Sequence, residues 1–65
     1  LRIIEIIQQK DIMIVQTQKY KFFVTTKAYK RKFTEFIKVY ENFTEKIKKE
    51  ISTIDLRYST GFAVH

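Results

Sequence analysis

The chain has no cysteine, no proline, no tryptophan and a single glycine among its 65 residues. Without cysteine there can be no disulfide staple, thiolate metal site or thiol nucleophile. With one glycine there is no glycine-rich loop to cradle a phosphate. Without proline, serine or glycine runs there is no flexible linker or low-complexity segment, and no internal repeat divides the chain. No apolar run approaches the ~20 residues that a membrane-spanning helix needs, and no signal peptide is visible. The one histidine, His65, has no Asp, Glu or Cys cluster beside it in the sequence, so neither a metal site nor a catalytic base is expected there. No nucleophile is paired with a base and no carboxylates cluster. The expectation is a protein that is not an enzyme, with no catalytic residue, cofactor or small-molecule substrate.

What is present is hydrophobic and aromatic. Apolar residues make up 45% of the chain, with six Phe and four Tyr, well above the composition of a disordered segment. A 65-residue chain forms at most one small domain and buries only about 60% of its unfolded surface. It starts on Leu1 rather than Met, which suggests a piece of a longer chain. The net charge is +6 and is unevenly spread: residues 27–50 hold eight basic and four acidic side chains, whereas residues 51–65 are neutral. Such an excess suits nucleic acid or an anionic lipid surface, or it simply keeps the outer face of a helix solvated.

Three short β-branched or aromatic runs open the chain: Arg2 to Gln9, Ile12 to Thr17 and Tyr20 to Thr25. Their alternation predicts a meander of strands turning at Lys10-Asp11 and Gln18-Lys19. Neither turn supplies the glycine or asparagine that two-residue hairpin loops favour. From about Lys27 to Ile51 the period changes. Tyr29, Phe33, Phe36, Tyr40, Phe43 and Ile47 recur at spacings of three and four, with Ile37 widening the stripe. This predicts one long amphipathic helix, with Thr25 or Thr26 as its N-cap. Arg31 and Glu35, Glu45 and Lys49, and Lys46 and Glu50 stand four apart on its polar side, each pair contributing ~0.2 to 0.5 kcal/mol.

After the helix, "STIDLRY" alternates again and "FAVH" reads as a returning strand. The order βββ-α-ββ predicts an α+β fold, an antiparallel sheet with one helix on one face. The first two strands are apolar on both sides: Ile3 and Ile7 oppose Ile4 and Ile6, and Ile12 and Ile14 oppose Met13 and Val15. Such strands are normally covered on both faces, so the second face is expected to pack on the rest of a larger domain or on another copy.

The hydrophobic pattern also selects a turn. A three-residue loop, Ser59-Thr60-Gly61, pairs Tyr58 with Phe62 and keeps Ile54, Leu56, Tyr58, Phe62 and Val64 on one face; a two-residue loop splits that face. In the three-residue loop Gly61 takes the left-handed position, where other residues pay about 1 kcal/mol or more.

The segment "DLRYSTGFAV" resembles the end of the C-terminal periplasmic β-domain of the FtsQ/DivIB family of bacterial cell-division proteins, whose proteobacterial members carry a pattern like D-L-R-Y-x-x-G-x-A-V. Asp55, Leu56, Arg57, Tyr58, Gly61, Ala63 and Val64 match it. Upstream, an aromatic-rich helix like "FTEFIKVYENF" preceded by short strands is similar in layout. The family continues through a tryptophan after this hairpin, which this chain lacks, as it lacks the glycine common where the helix begins. The resemblance implies a single-pass inner-membrane protein with its membrane span and POTRA domain outside this chain, and the β-domain on the periplasmic face. It implies a non-catalytic scaffold of the divisome, active in septum formation, that binds FtsB and FtsL. The partner's strand would add to the last β-strand, with main-chain hydrogen bonds giving affinity and side-chain pockets giving specificity. The residues that this assigns to partner binding are Arg57, Tyr58, Ser59, Thr60, Gly61, Phe62, Ala63, Val64 and His65. Tyr58 would be the aromatic contact, Thr60 a small polar neighbour, Arg57 the partner of an acid, and Phe62 to His65 the receiving strand. As ordinary residues, Tyr58 is a strand-end aromatic with its hydroxyl in water, and Asp55 and Arg57 are solvated neighbours.

The alternative is a basic nucleic-acid or anionic-surface module using Lys27, Lys30, Arg31, Lys32, Lys46, Lys48 and Lys49. Four glutamates interrupt that run, and no known nucleic-acid motif accompanies it.

Overall fold

A computed structural model describes residues 2–65. Five strands and two helices follow in the order β1 (Ile3–Gln9), β2 (Ile12–Thr17), β3 (Lys21–Thr25), α1 (Tyr29–Tyr40), α2 (Glu45–Glu50), β4 (Thr53–Asp55) and β5 (Ala63–Val64). They build one five-stranded sheet in sequential order, β1-β2-β3-β4-β5. The fold is α+β, as its element pattern indicates. The sheet, however, is mixed: β1–β2, β2–β3 and β4–β5 are antiparallel, while β3 and β4 run parallel, with Phe22 opposite Ile54. The expectation of a purely antiparallel sheet is thereby corrected. Parallel neighbours need a long crossover, and the helical segment between β3 and β4 is that crossover.

The long helix is also corrected, into two shorter ones. At its C-terminus α1 tightens: the amides of Asn42 and Phe43 reach back only three residues, to the carbonyls of Val39 and Tyr40, and Asn42 Nδ2 donates to the Lys38 carbonyl. Thr44 then caps α2, its hydroxyl accepting from the Ile47 amide at 3.2 Å. The α1 N-cap is Ala28 rather than Thr25 or Thr26, and it offers no side-chain hydrogen bond. Of the three helical ion pairs expected, Arg31–Glu35 forms at 3.0 Å, while Glu45 pairs instead with Lys48 at 3.7 Å. Among the described residues Lys46 and Glu50 form no ion pair.

The two hairpin turns fall where the sequence places them, by different means. Lys10 takes a left-handed backbone, φ 54°, at the first loop position between Gln9 and Ile12. At Gln18-Lys19 the hydroxyl of Thr17 accepts from the Lys19 and Tyr20 amides, at 3.3 and 2.9 Å, while Gln16 Nε2 donates to the carbonyls of Thr17 and Tyr20. A threonine side chain thus supplies the turn that glycine or asparagine would usually make.

One face of the sheet carries the core: Val15, Phe22, Val24, Ile54 and Leu56, closed by Phe36 of α1 and by Tyr20. Aromatic rings knit it together. Phe36 lies edge-to-face 5.4 Å from Phe22 and 5.3 Å from Phe62, and tilted 5.5 Å from Tyr40, and aromatic pairs of this kind add ~0.5 to 1.5 kcal/mol each beyond burial. Tyr20 pins the crossover, its hydroxyl 2.9 Å from the Lys48 carbonyl and 3.1 Å from the Tyr40 hydroxyl. Burial, helped by the Tyr40 hydrogen bond, pushes its phenol up to about 12.

β1 differs from the rest. A bulge between Ile3 and Glu5 shifts its register, so Ile3 and Ile6 share the helix side of the sheet while Ile7 pairs with Ile14 on the other. Ile3 and Ile7, read as sharing a face, do not: strict alternation fails where a bulge adds a residue. Every residue of β1 is exposed.

Candidate partner-binding edge

The terminal hairpin is shorter than its pattern suggests. Ile54 faces Val64 and Asp55 faces Ala63, and the pairing ends there. The expected pairing of Tyr58 with Phe62 is corrected, and the three-residue loop becomes a longer one spanning 56–62. Three local forces account for this. The Leu56 amide donates to the Phe23 carbonyl at 2.7 Å, so it stays bonded to β3. The Arg57 amide donates to Asp55 Oδ1 at 3.0 Å, a side-chain turn that ends β4. The Lys32 ammonium reaches across from α1 and donates to the Gly61 carbonyl at 2.6 Å. Gly61 itself is left-handed, φ 70°, as expected, and no atom of the described residues lies near enough to touch an added Cβ.

The nine residues assigned to partner binding divide into four groups. Tyr58, Ser59, Thr60 and Gly61 stand at the exposed tip, with Tyr58 52% exposed. Arg57 folds back on its own chain. Its Nε and a terminal nitrogen bond both Asp55 oxygens, at 2.9 and 2.7 Å, and its guanidinium lies 5.2 Å from the centre of the Phe23 ring. These bonds hold the Asp55 carboxyl below the usual carboxylate range and raise the guanidinium further. Phe62 turns inward onto Phe36. Only Ala63 and Val64 form strand, though the His65 amide and carbonyl still bond Thr53. Because His65 exchanges both bonds with Thr53, alternation along an antiparallel pair turns the Val64 amide and carbonyl outward, toward the open edge. The edge is open, and it is short.

Two lysines of the basic run take internal roles, one of them at this edge. Lys32, counted with the solvent-facing cations, is 1% exposed and anchors the loop through Gly61, its ammonium also 3.4 Å from Glu35. Its spacing carried a signal: three residues after Tyr29 and four before Phe36, it lies on the apolar stripe. Around Glu35, burial pushes the carboxyl up, but hydrogen bonds from Arg31 and Lys32 outweigh it and hold the group below its ordinary value. Lys48, also counted in the basic cluster, lies 4.7 Å from the centre of the Tyr40 ring. Two of the seven cations offered for nucleic acid are thus turned to structural use. Among the described residues no three His, Asp or Glu side chains gather where they could hold a metal ion. Among them, too, no helix is long and apolar enough to cross a membrane.

Compared with known proteins, the chain matches no family model, no curated protein and no solved structure at a significant level.

Proposed function

We propose that this chain is a non-catalytic interaction module that receives a partner's β-strand at its terminal hairpin, in the manner of the FtsQ/DivIB β-domain in the bacterial divisome. The observation that carries the reading is the coincidence of the D-L-R-Y-x-x-G-x-A-V pattern with a hairpin whose last strand turns the Val64 backbone to an open edge. Supporting it, Gly61 holds the left-handed conformation at the tip and Tyr58 stands out from it. On this reading the partner is the FtsB–FtsL pair, and the longer protein sits on the periplasmic face of the inner membrane. The Asp55–Arg57 clamp gives Arg57 a fixed orientation rather than freedom to seek an acid on the partner. Arg57 thereby acts on the loop's shape, and Tyr58 is the contact. Charge alone supports a nucleic-acid role less, because Lys32 and Lys48 are engaged internally.

The test is calorimetric titration of a peptide from the C-terminal part of FtsB into the complete chain, wild type and Tyr58→Ala. The expected result is saturable binding that Tyr58→Ala weakens about tenfold or more, as for an exposed aromatic anchor. No binding by the wild type overturns the proposal. Unchanged affinity of the variant removes Tyr58 from the interface, and binding of duplex DNA that collapses with salt moves the function to the basic helices.

A further inference from the structure

The end of the sheet opposite the terminal hairpin has a surface that the proposed function does not use. α1 packs over β3, and β1 and β2 extend beyond it. The corner so formed is a groove of about 760 Å³ with a floor of Ile3, Ile6, Met13 and Val15 and a wall that includes Phe33 and Ile37. Its side chains are open to water: Ile3 is 55% exposed, Ile6 52% and Ile37 47%. An apolar groove left open to water is a candidate surface for a partner.

We propose that this groove docks an amphipathic helix carrying acidic residues along the flank that meets α1. Size favours a helix. Two strands at ~4.8 Å spacing leave a floor about 10 Å wide, the diameter of one helix with its side chains. A strand laid across the face of the sheet would leave its own amides and carbonyls unpaired, whereas a helix satisfies them internally. Charge favours acid. Among the described residues no Asp or Glu lines the groove, but Lys30 does. A shallow recess sharing Tyr29 and Lys30 with it adds Lys27 and Arg31. Among the described residues Lys27 and Lys30 are in no ion pair, and the first turn of α1 holds no acidic residue. A second copy of the chain fits poorly. Each copy carries +6, and antiparallel pairing of β1 with β1 would set both α1 helices on the same side and leave both floors bare.

The probe is a synthetic peptide of ~15 residues, long enough at 1.5 Å per residue to span a seven-residue strand, with Leu at helical a and d spacing, Glu along one flank and Gln elsewhere. A counterpart carries Lys in place of each Glu. Anisotropy titrations with the full chain should show the Glu peptide binding at least about tenfold tighter than the Lys peptide, with a preference that shrinks in high salt. Ile6→Gln should lower its affinity about tenfold and Lys30→Glu should reverse the preference between the peptides. Val39→Gln, on an exposed residue outside the groove, should change nothing. All three positions are exposed, and circular dichroism of each variant verifies the fold. Equal binding of the two peptides, or an Ile6→Gln chain that binds as the wild type does, overturns the proposal. So does a dimer, seen in sedimentation equilibrium, that Ile6→Gln dissociates; the second copy would then be the occupant.

Discussion

At β3 and β4 the sheet is roofed by the crossover helices, and Phe22, Val24, Ile54 and Leu56 are at most 1% exposed; at β1 the same sheet has no roof, and Ile3, Ile4 and Ile6 are each more than half exposed. Both ends are rich in β-branched residues, but the aromatic residues all lie at Tyr20 or beyond, and β1 has none. They differ in what lies above them. Apolar sequence alone therefore fixes which strands form, while burial depends on where the helix lands. Stability resides at the roofed end, and the bare end is held mainly by its hairpin to β2.

The largest expected effect tests that contrast directly. Phe36→Ala removes the ring that joins Phe22, Tyr40, Phe43 and Phe62, all within 6.4 Å, and should cost ~3 to 5 kcal/mol. A domain this small has little more than that in total, so the variant should be largely unfolded by circular dichroism. Ile4→Ala, at the 61% exposed bulge of β1, should cost under ~0.5 kcal/mol in a urea titration. Similar losses at the two positions would show that the ends are equally buried in solution.

A second prediction uses pH. The Tyr20 phenol is raised from 10.0 to about 12, so at alkaline pH the folded chain keeps a proton that the unfolded chain has released. Stability is full below about pH 10 and falls as pH rises through about 12, the whole loss being ~2 to 3 kcal/mol. Thermal melts across that window should show a steep decline. In Tyr20→Phe the decline attributable to this group should vanish, at the cost of the Lys48 carbonyl bond, about 1 kcal/mol. A profile of unchanged slope in the variant would mean that the hydroxyl is not buried between β3 and α2.

A third concerns the loop on the roofed side. Lys32→Ala removes the donor to the Gly61 carbonyl and a buried aliphatic stem, and should cost about 2 kcal/mol. Hydrogen exchange should quicken in residues 56–62 before it does in β2 or β3. Lys30→Ala, two residues away and exposed, should be silent within ~0.5 kcal/mol. Equal effects would return Lys32 to the surface.

The contrast also shows what could be read in the residues. The first three strands and both hairpin turns were legible to within a residue, because alternation and length are local properties. The left-handed glycine was legible for the same reason. Partnership between strands was not, since periodicity says nothing about whether β4 lies parallel to β3; the helical segment between them was the available clue, because a crossover permits a parallel neighbour. The break at Asn42 was hidden by Phe43, which keeps the spacing of three and four across a turn that is no longer helical. Asn42 and Thr44, both turn and cap formers, were the contrary signal. The bulge at Ile4 inverted the facing of Ile3 for a reason no pattern of alternation contains. At the candidate edge the glycine was legible, but the release of Tyr58 from the apolar face, the fold-back of Arg57 and the reach of Lys32 depend on the loop's final position.

The smallest expected effect pairs the two left-handed residues, one at each end of the sheet. Gly61, φ 70°, sits in the loop on the roofed side, and Lys10, φ 54°, in the turn on the bare side. No described residue near Gly61 would touch a Cβ, so Gly61→Ala suffers only the backbone cost of the left-handed region, about 1 to 2 kcal/mol, partly offset by an unfolded chain with less freedom, and should net about 1 kcal/mol of destabilisation. Lys10→Gly runs the other way. It relieves a similar strain but gives the unfolded chain more freedom, leaving a gain of about 0.5 kcal/mol. If the bare end unfolds together with the roofed end, that gain appears in the global urea midpoint. If β1 peels away first, the midpoint stays put and only the amides of β1 gain protection from exchange. Loss of stability in Lys10→Gly would mean that the β1–β2 turn does not hold the left-handed conformation, and with it would go the register that places Ile6 on the floor of the groove.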